Sequence, residues 1–350
     1  MLLNLLEYHW AEHIDDALLL LSRPDVKTVP LAGGTYLLGL CDESVQAVVD
    51  LRDLELAYIT ADTQGIHIGA MTTLQGMVDA PLFKEQALGI LSRAAQASSF
   101  SRLIRNSATL GGTLGAGAAS QADLLTALTV LDAEVVLRSA SKLQVNLSGG
   151  TVERPGLALS GVTYKGKQER RIPYMSRNGA GSYNVERRPN ELILEVIIPR
   201  PNRNCGTSFM RVGRTPTDVA LLNAAALIEI ANGTFRKVRL VMGGVNMEPI
   251  RLYDVEKQLE GQPANTNVEV AHPGDDEVPL VGTQPSDRPG LIIQLQRALQ
   301  VGMADFRPPS DFRASSGYRR VSGMNLAFRA LEEAANVSHW RNMVSSEGRA

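Results

Sequence analysis

Cysteine is scarce in this sequence, which argues against metal sites that depend on clusters of thiolates. Only Cys41 and Cys205 occur among the 350 residues, far apart and without the spacing of metal ligands. An iron–sulfur cluster needs four protein ligands, so this chain is not expected to carry one. Two isolated cysteines are typical of reduced thiols in a cytoplasmic protein, and we expect that compartment.

An excess of one charge and a long apolar run are lacking too. The chain has 35 Lys and Arg residues against 37 Asp and Glu, so the sequence predicts no basic surface for nucleic acid. No apolar run approaches the length of a membrane span, and the first residues lack the basic region of a signal peptide. At 350 residues, 44% of them hydrophobic and 21% charged, the chain is predicted to be globular with two or three domains.

What the sequence does have is a pair of Gly-Gly-Thr segments. Residues 32–36 (Ala-Gly-Gly-Thr-Tyr), here named the first Gly-Gly segment, follow the apolar run Val29–Leu31. Residues 109–113 (Thr-Leu-Gly-Gly-Thr), the second Gly-Gly segment, lead into a Gly- and Ala-rich stretch that reads as a loop. Adjacent glycines let the backbone approach a ligand closely and let several N–H groups point at one anion. Two such turns could hold the two ends of a diphosphate, and a tight packing turn is the alternative for each.

Neither segment matches the common nucleotide motifs. No Gly-Lys-Ser/Thr follows either one, as a P-loop requires, and neither is a Gly-x-Gly-x-x-Gly after a strand. The apolar run that follows Asp123 reads as a buried helix with Asp123 in its first turn. A Gly-rich turn that leads to the start of a helix is an arrangement suited to phosphate.

Taken together, the two segments resemble those of the FAD-binding medium subunits of molybdenum hydroxylases. That family includes aerobic carbon monoxide dehydrogenase and xanthine dehydrogenase. Residues 32–35 are similar to its first pyrophosphate loop and residues 109–112 to its second. Residues 123–133 show its Asp-Leu-x-x-Ala-Leu-x-x-Leu-Asp-Ala pattern, and residues 243–249 its Gly-Gly-x-x-x-x-Pro element. Residues 311–319 match its closing Asp-x-Arg-Ala-x-x-x-Tyr-Arg signature, so the resemblance covers most of the chain.

The resemblance implies an α+β fold, with a two-part FAD-binding region of the PCMH type before a C-terminal α+β domain of the carbon monoxide dehydrogenase flavoprotein type. The expected parts are residues 1–58, 59–202 and 203–338, a mobile loop at 262–290 and a tail at 339–350. The residues themselves predict parallel strands in the first part and hairpins at 57–69 and at Asn232-Gly233. Residues 219–230 fit either a helix or a strand.

The resemblance also implies which residues bind FAD. They are Leu31, Ala32, Gly33, Gly34, Thr35, Tyr36, Thr72, Thr109, Leu110, Gly111, Gly112, Thr113 and Asp123. The glycines would offer backbone N–H groups to the pyrophosphate, the threonines of the two segments would add hydroxyl donors, and Asp123 would accept a hydrogen bond from the hydroxylated chain of the flavin. A helix N-cap is the alternative role for Thr72. No catalytic or metal-binding side chain is assigned, because the flavin itself carries the reactive centre.

Three positions depart from the family pattern. Tyr36 stands where many members have Ser or Asp, and Thr113 replaces an Asn. The stretch between Thr113 and Asp123 is one residue longer than the common form, with Ser120-Gln121 in place of Ser-Pro. These changes bear on the affinity for FAD more than on the fold.

The function implied is that of an FAD-carrying electron-transfer subunit of a molybdopterin-dependent dehydrogenase acting on carbon monoxide, xanthine or an aldehyde. Such a chain takes electrons from a [2Fe–2S] small subunit, beside a molybdopterin large subunit in a heterotrimer doubled by symmetry, and passes them to NAD, a quinone or oxygen. Two alternatives stay open. A flavin-free scaffold relative is disfavoured by the four glycines, and a stand-alone FAD-dependent reductase would need acid–base residues that the sequence does not show.

Overall fold

A computed structural model of the chain describes residues 2–84, 88–118, 122–139, 168–175, 183–188, 190–215, 217–246, 248–264 and 289–347. Ser120 and Gln121, which stand in place of the family's Ser-Pro, and most of the expected loop at 262–290 lie outside these residues. Within them, no helix combines the length and apolar character needed to cross a membrane.

The helices and strands follow one another in a mixed order. The strands are β1 (Glu7–Trp10), β2 (Thr28–Leu31), β3 (Ala47–Asp50), β4 (Ile59–Ala61), β5 (Ile66–Gly69), β6 (Glu134–Ser139), β7 (Gln168–Pro173), β8 (Glu191–Ile198), β9 (Cys205–Val212), β10 (Leu222–Ala231), β11 (Thr234–Gly243) and β12 (Ile250–Arg251). The α-helices are α1 (Ile14–Leu21), α2 (Leu74–Asp79), α3 (Gly89–Ser98), α4 (Arg102–Ser107), α5 (Leu110–Ala116), α6 (Ala122–Val130), α7 (Tyr183–Glu186), α8 (Tyr253–Leu259), α9 (Pro289–Gly302) and α10 (Ser316–Glu347). Short 3₁₀ helices span Leu37–Gly39 and Pro81–Phe83. This mixture confirms the α+β class.

The chain folds into two compact units, each built from separate stretches of sequence. The first comprises Met1–Thr73, Ser107–Ala116 and Glu134–Ile198, and the second comprises Leu74–Asn106, Gly117–Ala133 and Pro199–Ala350. The boundaries expected from the sequence, near residues 58 and 203, stay a prediction.

A three-stranded parallel sheet positions the first Gly-Gly segment in the first unit. Its order is β1-β3-β2, and both outer strands pair in parallel with the central strand, as predicted. All four residues of β3 are buried, and Val49 packs with Ala17 and Leu18 of α1. The segment therefore starts at the carboxyl end of an edge strand whose neighbour is fixed by core packing.

The second sheet of this unit is antiparallel, with the order β4-β5-β8-β6-β7. The hairpin predicted at 57–69 is present as β4 and β5, with Ile59 opposite Ile68. After β5 the chain turns through residues 70–73, and the carbonyls of Ala70 and Thr72 accept hydrogen bonds from the second Gly-Gly segment.

The second unit is built on a four-stranded antiparallel sheet of order β12-β11-β10-β9. Of residues 219–230, which fit either a helix or a strand, residues 222–230 belong to β10, which pairs with β9 on one side and with β11 on the other. The predicted turn is present at Asn232 and Gly233, which have φ of 53° and 70°. Helices α8, α9 and α10 bury apolar residues against the sheet in one core. Helix α10 continues through residues 339–347, which were expected to be a tail.

Candidate functional site

The first Gly-Gly segment forms a tight turn directly after β2. Gly34 has a φ of 69°, a left-handed conformation that a residue with a Cβ adopts only with strain. The amide of Leu38 donates to the Gly34 carbonyl at 3.2 Å, which closes the turn and starts the 3₁₀ helix Leu37–Gly39. Gly33 and Gly34 are half-buried, so the turn remains accessible from one side.

Several backbone N–H groups of this turn have no acceptor in the part of the chain that the structure describes. They belong to Gly33, Gly34, Thr35 and Tyr36. Successive amides around a left-handed residue form a concave nest that binds anions. Backbone N–H groups are strong donors that folded proteins nearly always satisfy, so an oxygen-rich ligand fits this turn.

The second Gly-Gly segment is not the loop that the sequence predicted, because it forms the start of helix α5. Thr109 precedes the helix, and its hydroxyl oxygen accepts a hydrogen bond from the Gly112 amide at 3.0 Å. Leu110 and Leu114 are buried on one side of α5. Glycine is a poor helix former, and the cap together with this buried face overrides that preference here.

The amides of the second segment already have acceptors within the protein. The Leu110 amide donates to the Thr72 carbonyl at 2.9 Å, and the Gly111 amide donates to the Ala70 carbonyl at 2.7 Å. The Gly112 amide is bound to the Thr109 hydroxyl. The expectation that both pairs of glycines offer amides to a phosphate therefore fits the first pair and not the second.

The structure places the two segments side by side in the first unit. A Cβ built on Gly33 would lie 1.7 Å from the carbonyl oxygen of Ser107, and one built on Gly112 would lie 3.9 Å from the Cβ of Ala32. A Cβ on Gly111 would meet the Ala70 carbonyl oxygen at 2.9 Å. Sequence reasoning missed Ser107 and Ala70, whose role comes from carbonyl groups that every residue type carries.

The threonine hydroxyls of the site differ in what they bind. Thr72 donates its hydroxyl proton to the Tyr58 carbonyl at 2.9 Å, and Thr113 donates its own to the Thr109 carbonyl at 2.9 Å. Thr109 is 3% exposed and uses its hydroxyl as an acceptor, and among the described residues nothing accepts its proton. A buried donor without an acceptor is costly, so Thr109 also fits an oxygen-rich ligand.

The remaining predicted residues of the first segment flank the turn. Leu31 ends β2 and packs against a small cluster that includes Val48 and Leu37. Thr35 is exposed, and Tyr36 is half-buried at the start of the 3₁₀ helix. The side chain of Tyr36 therefore lies at the edge of the turn.

Asp123 belongs to the second unit and lies in the first turn of α6. Its carboxylate accepts a hydrogen bond from the Asn223 side chain at 2.7 Å and lies 3.7 Å from the Arg211 guanidinium. Burial raises the pKa of Asp123, and Arg211 and Asn223 offset only part of that rise. Its proposed contact with a flavin stays a prediction.

The Gly243-Gly244 element packs within the second unit. A Cβ on Gly243 would lie 2.2 Å from both the Asn223 and Thr126 side-chain oxygens. Gly244 has a φ of 77° and offers its carbonyl to the buried Arg319. These contacts pack the pair closely against side chains of the same unit.

Side chains that could bind a metal ion are scattered. Across the described stretches, no group of three or more His, Cys, Asp or Glu residues is placed to hold one. The two Gly-Gly segments present backbone amides, one hydroxyl and close-packed glycines, which suit a phosphate-bearing cofactor.

Comparison with protein families gives two matches. Residues 4–148 match the FAD-binding domain in molybdopterin dehydrogenase, and residues 207–272 match the C-terminal domain of the carbon monoxide dehydrogenase flavoprotein. Both Gly-Gly segments lie inside the first match.

Comparison with individual proteins agrees over nearly the whole chain. The chain is 27% identical over 332 residues to the glyceraldehyde dehydrogenase medium chain of Sulfolobus acidocaldarius, covering 94% of this chain and 98% of that one. It is 25% identical over 341 residues to the carbon monoxide dehydrogenase medium chain of Afipia carboxidovorans, covering 94% and 96%. In structure it is similar to a chain of carbon monoxide dehydrogenase from Hydrogenophaga pseudoflava, with a TM-score of 0.71, 21% identity and coverage of 95% and 98%.

The fold expected from the sequence is confirmed by these matches, and so is the resemblance drawn from the two Gly-Gly segments. The domains follow one another in the expected order along the chain. The chain belongs to the family of FAD-binding medium subunits of molybdenum hydroxylases, and it is accordingly an oxidoreductase subunit whose cofactor is FAD.

Proposed function

We propose that this chain is the electron-transfer subunit of a molybdopterin-dependent dehydrogenase, and that it holds the diphosphate of FAD between its two Gly-Gly segments. The observation that carries the proposal is the nest of four backbone amides at residues 33–36, for which the described residues offer no acceptor. The Thr109 hydroxyl, whose proton has no acceptor among those residues either, lies on the same side of Gly112 as Ala32. A diphosphate carries several acceptor oxygens and a negative charge, and donors of this kind bind it with charge-assisted hydrogen bonds.

The residues of the site bind and orient the cofactor. Gly33 and Gly34 let the backbone pass close to the phosphate, and Thr109 provides a fixed hydroxyl at the start of α5. Tyr36 lies at the edge of the turn, next to the adenine half in the proposed arrangement. When bound, FAD supplies the redox chemistry, while the protein supplies binding and orientation.

A subunit with this function needs partners that deliver electrons and receive them. Two relatives that match over more than nine-tenths of both chains are named medium chains of dehydrogenases. We therefore propose a [2Fe–2S] small subunit and a molybdopterin large subunit as partners in a heterotrimer that is doubled by symmetry in the cytoplasm. The substrate class of carbon monoxide, xanthine or an aldehyde belongs to the large subunit, and the acceptor is NAD, a quinone or oxygen.

The first test is the visible spectrum of the purified chain. We expect flavin absorption, and chromatography of the cofactor released on denaturation should identify FAD and not FMN, because the site is built for a diphosphate. A chain that stays colourless when FAD is added would support the flavin-free scaffold.

The second test is purification from the native source, with the co-purifying chains identified and molybdenum measured. We expect two further subunits and bound molybdenum. A protein that purifies alone, loaded with FAD and active on a small-molecule substrate, would instead be a stand-alone reductase.

A further inference from the structure

We infer that the outer edge of strand β1, together with the exposed rings of Tyr8 and Trp10, docks an extended segment of the [2Fe–2S] partner subunit. The segment adds a fourth strand to the parallel sheet of the first unit. This inference rests on the proposed function, since the partner is one that is proposed there. It assigns that partner a surface outside the two Gly-Gly segments.

The backbone of β1 carries the first step. In the sheet order β1-β3-β2, β1 is an edge strand. The amides of Glu7 and Ala11 donate to carbonyl groups on the β3 side, at 3.1 Å and 3.3 Å, so the odd-numbered residues face β3. The N–H and C=O groups of Tyr8 and Trp10 therefore point outward and have no partner among the described residues. Another extended backbone is the ligand that complements such an edge.

The side chains along this edge carry the second step. Tyr8 and Trp10 are 51% and 54% exposed, and Leu3 and Leu6, which lead into the strand, are exposed as well. Natural proteins shield an open edge with lysine, proline or a bulge. The side chains exposed here are large, apolar and aromatic instead, and aromatic residues are enriched in the centres of protein interfaces.

The two rings are held in fixed orientations, which is the third step. The Tyr8 hydroxyl donates to the buried Asp50 carboxylate, and the Trp10 indole N–H donates to the Asp53 carboxylate. The rings meet edge to face with their centroids 6.4 Å apart, and the Arg52 guanidinium lies 5.5 Å from the centre of the Trp10 ring. Side chains that are already held lose little conformational freedom on binding, which suits these two rings to anchor a partner.

The position of β1 identifies the partner. All three strands of the sheet run parallel, so Trp10 at the end of β1 and the first Gly-Gly segment after β2 lie at the same end of the sheet. With β3 between them, the two outer strands are roughly 10 Å apart. The subunit that delivers electrons to FAD has to come close to the cofactor. The added strand therefore belongs to the [2Fe–2S] subunit.

Hydrogen–deuterium exchange tests the open edge without any substitution. In the isolated chain we expect the amides of Tyr8 and Trp10 to exchange quickly and those of His9 and Ala11 to exchange slowly. In the complex purified from the native source, exchange at Tyr8 and Trp10 should slow by at least about 10-fold. Protection of Tyr8 and Trp10 in the isolated chain would show that the chain covers its own edge, and would overturn the inference.

Two substitutions at Tyr8 isolate the outward amide. Tyr8→Ala and Tyr8→Pro both remove the ring, but only Tyr8→Pro removes the N–H. Proline is tolerated on an edge strand where the N–H points away from the sheet, so the two isolated variants should unfold at similar denaturant concentrations. Tyr8→Pro should bind the purified iron–sulfur subunit about 10-fold more weakly than Tyr8→Ala, because one more hydrogen bond is lost. Equal affinities would overturn the pairing of strands.

The two tryptophans of the chain provide a matched pair for the side chains. Trp10 and Trp340 are both exposed, at 54% and 62%. Trp10→Ala should weaken binding of the iron–sulfur subunit by about 10- to 100-fold, as truncation of an interface anchor does. Trp340→Ala should bind it as the wild type does. Both isolated variants should retain the flavin content of the wild type, since neither residue belongs to the Gly-Gly segments. Equal affinities of the two variants would overturn the role of Trp10.

Crosslinking identifies the occupant of the edge. A photo-crosslinking amino acid in place of the exposed Leu6 should link to the iron–sulfur subunit in the complex. Links to the large subunit or to a second copy of this chain would overturn the assignment. A native source that yields no iron–sulfur subunit would overturn the proposed function and this inference together. A complete complex in which Tyr8 and Trp10 exchange as fast as in the isolated chain would overturn this inference alone.

Discussion

Gly33 lies so close to Ser107 that a Cβ on Gly33 would sit 1.7 Å from the Ser107 carbonyl oxygen. This contact joins the end of β2 to the end of α4, residues that are separated by more than seventy positions in the sequence. It involves a backbone carbonyl, which cannot move aside as a side chain can. The first glycine of the first Gly-Gly segment is therefore required by packing, whatever the ligand.

The first prediction concerns this contact. Gly33→Ala should lower the free energy of unfolding of the FAD-free protein by about 1–3 kcal/mol or more, because the new methyl group forces the backbone apart. Gly39→Ala is the control, since a Cβ on the exposed Gly39 meets nothing within 4 Å. That variant should be neutral or slightly more stable. Denaturant unfolding of the two variants measures these changes, and equal unfolding midpoints would contradict the packing role of Gly33.

The second prediction concerns the space between the two segments. Gly112→Val should abolish the retention of FAD through gel filtration, because the added side chain points toward Ala32 and the Thr109 hydroxyl. Gly115→Val provides a control in the same helix, where a Cβ meets nothing within 4 Å. The ratio of flavin to protein absorbance measures the result. Full flavin occupancy in Gly112→Val would mean that the phosphate lies elsewhere.

Local patterns were enough to predict much of the fold. The apolar run Val29–Leu31 before a Gly-Gly turn predicted one of the three parallel strands. Asn232-Gly233 predicted a hairpin because both residues tolerate positive φ. Strand β1 was missed, since polar residues on one face and exposed aromatic residues on the other leave no apolar alternation.

The chemistry of the site could be predicted only in part. The glycines of residues 33–34 and 111–112 look alike in sequence, yet only the amides of the second pair have acceptors among the described residues. The difference comes from the carbonyls of Ala70 and Thr72, which lie about forty residues from the second segment along the chain. Backbone carbonyls occur at every position, so no residue type signals such an acceptor. Tertiary contacts also made α5 a helix despite its glycines.

The third prediction concerns Asp123, whose pKa is raised chiefly by burial. A raised pKa in the folded state favours the neutral acid, so stability is lost as the pH rises from about 3.9, the unfolded value, through the folded pKa. Asp123→Asn cannot ionise and still offers an oxygen to Asn223. Its stability relative to the wild type should therefore grow with pH over that window. Unfolding curves at several pH values measure the difference in free energy of unfolding between Asp123→Asn and the wild type. Asp305→Asn, at an exposed position, is the control. A difference that shrinks as the pH rises would contradict the prediction.

The fourth prediction concerns the two thiols. Cys41 is exposed, whereas Cys205 is buried. Burial, with a smaller effect of the Glu229 carboxylate, raises the pKa of Cys205 to about 11. Because the thiolate is the reactive form, a thiol reagent at pH 8 should modify one cysteine quickly in the native chain and two after unfolding. Cys41→Ser should remove the fast reaction, and a fast reaction that survives in that variant would show Cys205 to be accessible.

The last prediction concerns Arg319, whose guanidinium is 1% exposed in the second unit. It donates to the carbonyls of Leu221 and Gly244 and forms an ion pair with Asp311 at 2.8 Å. Arg319→Met should lower the free energy of unfolding by about 3–5 kcal/mol, because it leaves buried acceptors and a carboxylate without their donor. Arg320→Met, at the exposed neighbouring position, is the control and should change the free energy of unfolding by roughly 0.5 kcal/mol at most.

The same ion pair predicts a dependence on acid. Partial burial would raise the pKa of Asp311, but hydrogen bonds from the backbone amides of Ala314 and Arg313 and from the side chains of Arg319 and Arg313 hold that pKa well below its usual range. A depressed pKa stabilises the folded state above the unfolded value, and that stability is lost as the pH falls below about 4. Asp311→Asn should therefore flatten the acid limb of the unfolding profile while Arg320→Met leaves it unchanged. If Asp311→Asn loses stability in acid as steeply as the wild type, the Asp311 carboxylate does not cause the loss of stability in acid.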